Sequence, residues 1–234
     1  MKYSNKTWRA CALCMLAAFA MTTGCQNKPA ETADSTNAAT DSVVAESPLD
    51  NAVVRAIMDR RSVRKYKPEP VPKEMLDVIL HCGINAPNAM NEQRWEVRVT
   101  ESKAFIDGVT KVFIESAKSD ERVQKMVGDP DFRNMFRNAP TVIFVAGKAD
   151  EKSSPIDCGL LGENIMLAAQ SMGLGTCCLG SAAGFLNSNP GAANYLKQLA
   201  FSDGYELLYA IAIGYPDESP EAKPRDASKI RYIE

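Results

Sequence analysis

One histidine, His81, is all that the 234 residues contain. A histidine-rich metal site and an HExxH helix are therefore excluded, and triad chemistry has almost no raw material. His81 falls near the end of a predicted helix, where capping carbonyls is its expected work. Phosphate-cradling glycine loops are lacking too. There is no Walker loop, and Gly173-Leu174-Gly175 follows a helix where the dinucleotide fingerprint requires a strand. Cys82, Cys158, Cys177 and Cys178 contain no CxxC pair. Neighbouring Cys177 and Cys178 are expected to be small buried strand residues, a strained disulfide being the alternative in an oxidising compartment. An excess of positive charge is missing as well. The formal net charge is −2, which disfavours nucleic acid as a partner.

The one segment without acidic residues near the start has a different purpose. Lys2, Lys6 and Arg9 precede an apolar run from Ala10 to Met21, 12 residues long and too short to span a membrane as a mature helix. Thr22-Thr23-Gly24-Cys25 follows and resembles a bacterial lipobox, with Thr22 where leucine is usual. Residues 1–25 thus read as a lipoprotein-type signal peptide with Cys25 as the lipidated residue. An ordinary leader with an incidental cysteine is the competing reading. Several acyl chains on Cys25 would anchor firmly, since each buried CH₂ contributes about 0.8 kcal/mol. Residues 26–47 are rich in Ala, Thr, Ser, Asn, Asp and Glu, with almost none of the large apolar side chains that offset chain entropy. They are expected to form a flexible tether to a domain over 48–234. The protein would then be exported and held on a membrane of the bacterial cell envelope.

With 45% apolar residues, the chain can bury a substantial core. Ser47-Pro48-Leu49-Asp50 has the form of a helix start, and Leu49, Val53 and Ile57 continue it as an apolar stripe. Pro72 opens a second helix with Met75, Leu76, Ile79 and Leu80 on one face. Trp95, Val97 and Val99 alternate with polar residues as in a strand. Residues 103–137 read as polar helix broken near Gly128-Asp129-Pro130. Thr141 to Ala146 is a buried strand, Cys158 to Met172 an apolar helix ended by Gly173 and Gly175, and Cys177 to Leu179 a short strand. Asn189 to Leu199 reads as a helix and Tyr205 to Ile213 as a last buried strand. The fold class is α+β, a small central β-sheet flanked by helices.

Three segments carry chemistry. Arg60-Arg61-Ser62-Val63-Arg64-Lys65-Tyr66 gathers four cations and a hydroxyl, which suits a phosphate, although most basic clusters are solvated faces. Ala86-Pro87-Asn88-Ala89-Met90-Asn91-Glu92-Gln93-Arg94-Trp95 leads from helix to strand through amides that both donate and accept, or is an ordinary turn. Ile213-Gly214-Tyr215-Pro216 is followed by Lys223-Pro224-Arg225, where cations at i and i+2 of an extended chain point the same way.

These segments, with Gly173-Leu174-Gly175 leading to Leu179-Gly180, resemble the nitroreductase family, and the resemblance covers roughly Leu49 to Ile233. It implies an α+β, domain-sharing homodimer with FMN at the subunit interface and site residues drawn from both chains. It places Arg60, Ser62, Lys223 and Arg225 on the FMN phosphate and ribityl chain, with Arg61 beside them. Arg64 corresponds to the cation near the flavin N1 and O2 edge, where it would stabilise charge on the reduced ring. Pro87, Asn88, Ala89 and Met90 would pack along the ring, Asn91 would bond its pyrimidine edge, and Leu179 and Gly180 would give backbone contact near N5. Arg94 stands where the family usually has proline, and Asn88 where it often has serine. No protein side chain is assigned a catalytic role, because the flavin carries the chemistry, and no metal is expected. The implied function is an FMN-dependent oxidoreductase that reduces nitroaromatics, quinones or similar small acceptors in two half-reactions. NAD(P)H is the family's donor but is cytoplasmic. A family branch with other chemistry, such as reductive dehalogenation or flavin fragmentation, stays open. So does an exported flavin-binding or electron-relay lipoprotein with little NAD(P)H-dependent turnover.

Overall fold

The structure, a computed structural model, describes residues 50–234. The leader, Cys25, the tether and the helix start read at Ser47-Pro48-Leu49 fall outside the described residues.

The centre is a four-stranded antiparallel sheet in the order β1-β2-β4-β3, with β1 Trp95–Thr100, β2 Thr141–Lys148, β3 Gly175–Leu179 and β4 Tyr205–Gly214. The inner strands β2 and β4 are buried on both faces, which explains their unbroken apolar runs. Alternation sends Val142 and Phe144 to one side, where Phe105, Ile106 and Val109 of helix α3 (Lys103–Ser116) meet them. Ile143 and Val145 go to the other, against Ile79 of α2 (Lys73–Ile84) and Leu161 and Ile165 of α5 (Ser154–Ser171). Each such side chain, fully buried, contributes roughly 1.5–3 kcal/mol. The α+β class and the small flanked sheet are as expected from the sequence.

Four sequence expectations need correction. The first helix, α1, runs Ala52–Asp59, and its cap is Asn51, whose side-chain oxygen accepts from Val53 N (3.0 Å) and Val54 N (3.1 Å). Its stripe does not enter the core: α1 has no buried residue, and Val53, Ile57 and Met58 are exposed. Residues 180–188, given no element above, form helix α6 (Gly180–Ser188). Two glycines and polar ends hide its pattern, but burial of Ala182, Ala183 and Leu186 against β4 holds it. The helix expected over Asn189–Leu199 is a 3₁₀ turn at Pro190–Ala192, whose first proline cannot continue a helix, followed by α7 (Ala193–Gln198). Cys177 is buried, whereas Cys178 is exposed; both are free thiols, and successive strand residues point to opposite faces. The polar stretch after α3 contains the short α4 (Glu121–Val127) before its break. His81 lies in the last turn of α2, with Nδ1 donating to the Asp77 carbonyl at 2.7 Å.

Candidate functional site

The basic segment after α1 is pinned as an extended ribbon beside the sheet edge. Val63 N donates to Thr176 O of β3 (2.9 Å), and Ser62 bridges Thr176 in parallel. Further on, Lys67 N donates to Tyr215 O and Asp217 N to Lys65 O, both at 2.9 Å, so Tyr66 bridges Pro216. The first and third sequence segments are thereby joined. Val63 is buried, which in an extended ribbon turns Arg60, Ser62 and Arg64 to the opposite side. Gly175 permits this approach, since a Cβ there would lie 2.8 Å from the Cβ of Val63. Arg60 stands 3.9 Å from Glu163 of α5, at the limit of an ion pair. Arg61 donates to the carbonyls of Met58 (2.6 Å) and Arg60 (2.9 Å), and the Arg64 side chain to Ser62 O (3.0 Å). Tyr66 anchors the ribbon by donating to Val63 O (2.6 Å); burial pushes its phenol far above the usual range, so it stays protonated.

The second segment forms a tight loop between α2 and β1, with a 3₁₀ turn at Ala89–Asn91. Met90, Asn91 and Gln93 all have left-handed backbone, with φ of 53°, 56° and 49°. Such conformations cost of order 1–3 kcal/mol each for a residue with a side chain and persist only where the surroundings impose them. Asn88 imposes part of this: its Oδ1 accepts from Gln93 N at 2.9 Å. Arg94 imposes more, with ion pairs to Glu92 and to Glu151 (2.9 Å) just before α5. The two departures from the family pattern therefore brace the loop. Pro87, Met90 and Asn91 remain exposed, and Ala89 is half-buried.

Leu179 and Gly180 lie where β3 passes into α6. Among the described residues, no side chain accepts from the first-turn N–H groups of that helix, and a Cβ added at Gly180 would meet nothing within 4 Å. Lys223 and Arg225 lie on an exposed C-terminal segment, where Arg225 donates to Lys223 O at 3.2 Å. Among the described residues, no hydrogen bond or ion pair brings that pair to Arg60, Ser62 or Arg64.

Sequence reasoning missed three residues. Asp157 of α5 is buried, and its carboxylate accepts from Ala89 N at 3.2 and 3.3 Å. Arg137 joins Arg64, Tyr66 and Glu218 around a cavity of about 270 Å³. Its φ of 60° is followed by 65° at Asn138, whose Oδ1 accepts from Arg133 N (2.7 Å) and Asn134 N (2.9 Å). Asn134 and Asn138, four apart around an arginine, were the available signal, since Asn tolerates and stabilises such turns. Glu218 accepts from the backbone N–H of Arg64. The electrostatics are cationic nearby: burial pushes the Cys177 thiol up, and the Arg64, Arg137 and Arg60 guanidiniums pull it down. Another cavity of about 650 Å³ lies between α6, α7 and the start of β4, and none of the predicted residues lines it.

An antiparallel sheet covered on both faces, with a cationic ribbon at its edge, defines an α+β scaffold equipped to hold a phosphorylated cofactor. The model of the nitroreductase family matches residues 57–215, and the chain belongs to that family. A putative NADH dehydrogenase/NAD(P)H nitroreductase of Methanothermobacter thermautotrophicus is 30% identical over 173 residues, covering 72% of this chain and 79% of that protein. The NADPH-flavin oxidoreductase of Vibrio harveyi is 30% identical over 185 residues, covering 75% of this chain and 70% of its own. A nitroreductase with bound FMN from Desulfitobacterium hafniense superposes with a TM-score of 0.71 at 26% identity, covering 79% of this chain and 100% of that one.

Proposed function

We propose that this chain is an FMN-dependent oxidoreductase, a homodimer whose two sites each draw on both chains, exported and anchored through Cys25. The observation that carries the flavin reading is the ribbon at the sheet edge, which sets Arg60, Ser62 and Arg64 on one side around a buried Val63. That donor set fits FMN. The planar donor fork of a guanidinium pairs with two oxygens of a phosphate, the serine hydroxyl suits phosphate or ribityl, and Gly180 leaves open space at the β3–α6 junction. Bound FMN supplies two-electron transfer between a small donor and a small acceptor such as a nitroaromatic or quinone. The chain's own residues hold and bias it. Arg60 and Ser62 take the phosphate end, and Arg64 places positive charge at the pyrimidine edge. Loop 87–91 offers Pro87, Ala89 and Met90 to the ring and Asn91 to its polar edge.

The flavin released by denaturing the purified protein should co-chromatograph with FMN. Recovery of FAD, or a colourless protein, contradicts the assignment. Reduction by NADH, NADPH and dithionite, compared on the same sample, then decides between two activities. Fast bleaching by a nicotinamide supports a nitroreductase-type enzyme. Bleaching by dithionite alone supports the second reading, an exported electron relay, which the leader-like residues 1–25 favour because NAD(P)H is cytoplasmic.

The anchor rests on the basic start, the apolar run and Gly24-Cys25. Mass spectrometry of protein from native membranes should find an acylated Cys25 as the mature N-terminus. A free N-terminus at another residue overturns the lipoprotein reading without touching the flavin site.

A further inference from the structure

We propose that Asp157 is the positioning residue of the loop that faces the flavin, acting through its hold on the Ala89 amide. This inference rests on the flavin reading above and adds a residue that neither composition nor motif marks.

A carboxylate is rarely buried without a cation, and Asp157 is only 5% exposed. No ion pair is formed by Asp157 among the described residues; what it holds is the N–H of Ala89, within reach of both oxygens at 3.2 and 3.3 Å. The bond spans 68 positions of sequence and ties the loop to α5, the helix that packs on α2, β2 and β3. Its target is well chosen. Ala89 opens the 3₁₀ turn, and Met90, Asn91 and Gln93 beyond it are all left-handed. Three unfavourable backbone conformations within four residues relax unless the turn is fixed at both ends. Asn88 Oδ1 closes the far end on Gln93 N, and Asp157 closes the near end. Between these two clamps stand Met90 and Asn91, both exposed and both offered to the cofactor.

The same helix also reaches the ribbon of its own chain, which in the dimer serves the second site. Glu163, six residues after Asp157 on α5, lies 3.9 Å from Arg60. One rigid helix thus carries a carboxylate for the ring loop and another for the phosphate cation. A loop freed from Asp157 would still fold back onto β1 through Asn88 and Arg94, but Asn91 would no longer be fixed relative to α5.

The test compares Asp157→Ala and Asp157→Asn with the unaltered full-length protein. An asparagine oxygen can still accept from Ala89 N–H, whereas alanine cannot. Three readouts are taken: amide hydrogen exchange of residues 88–93 in flavin-free protein, FMN affinity by fluorescence titration, and visible circular dichroism of the bound flavin. Asp157→Ala is expected to accelerate exchange in the loop, weaken FMN binding at least ten-fold and change the visible dichroism. Asp157→Asn is expected to restore most of all three. Thermal melts of the flavin-free variants serve as the control. A lower melting temperature with unchanged exchange at 88–93 and unchanged affinity makes Asp157 merely structural and overturns the inference. An Asn variant as impaired as the Ala variant also overturns it, because charge and not hydrogen-bond acceptance would then be at work. Should the unaltered protein bind no FMN, the flavin reading fails first; the exchange measurement still reports on the clamp by itself.

Discussion

Arg60→Ala is expected to weaken FMN binding by roughly ten- to a hundred-fold while the chain keeps its fold. A hydrogen bond to a charged group contributes about 1.5–3 kcal/mol, and a guanidinium on a phosphate is of that kind. The side chain of Arg60 is only 20% exposed, so its interaction with a ligand is less screened than that of a surface cation. Its internal partner competes weakly: Glu163 is 3.9 Å away and half exposed, a pair whose own contribution to stability is small. The backbone N–H of Arg60 closes α1 on Ala56 O at 3.1 Å, a bond alanine retains. Arg60→Lys should recover part of the affinity, since it keeps the charge and loses the planar fork. Arg225→Ala is expected to act in the same direction, provided the C-terminal segment closes on the site when FMN is bound. Titration of FMN into flavin-free protein, with circular dichroism for the fold, measures both. Unchanged affinity in both variants would remove the phosphate assignment and most of the residue-level account with it.

Burial explains which parts of this molecule its sequence disclosed. β2, β4 and α5 are covered by neighbours on several sides, so their apolar runs are long and unambiguous. α6 buries only Ala182, Ala183 and Leu186, and two alanines leave a fainter periodic signature than Leu or Ile would. The cationic ribbon was visible because its charges are consecutive, but its anchoring at Thr176 and Tyr215 is a backbone matter that no side chain reports. Asp157 and Arg137 were invisible for a different reason. Each matters through a partner distant in sequence: Asp157 through Ala89, and Arg137 through the cavity it shares with Arg64. Asp157 stands just before the apolar run that reads as the helix, and only the fold, which starts α5 at Ser154, sets a loop amide against it. Asn88 and Arg94 looked like substitutions at the pocket; the structure uses both to brace the loop.

A chain bearing Ile57→Glu and Leu160→Glu together is expected to sediment as a monomer and to lose its flavin, and the unaltered protein is expected to sediment as a dimer. Both residues are exposed in the single chain, at 50% and 41%, and α1 packs directly on α5. Around them Val53, Met58 and Ile156 are each about two-thirds exposed, so both helices carry large apolar side chains that the single chain leaves uncovered. Several large apolar side chains exposed on two packed helices mark a surface that another chain covers. Obligate interfaces bury upwards of roughly 2,000 Å² and are apolar at the centre, and two introduced carboxylates at that centre would be desolvated without partners. Since neither side chain belongs to the core, the fold of the single chain should survive, which circular dichroism would verify. Loss of flavin follows from the shared site. If one chain supplies the Arg60 ribbon and the other the ring loop, a monomer holds only half of the contacts. Cofactor binding and association are then thermodynamically linked, and added FMN should shift the unaltered protein further toward dimer. Sedimentation of a chain starting at residue 48, at several concentrations with and without FMN, tests both halves of this expectation. A double variant that is monomeric yet keeps FMN at micromolar concentration would confine the site to one chain, and the ring-facing residues would have to be sought beside Arg64 and Arg137 instead.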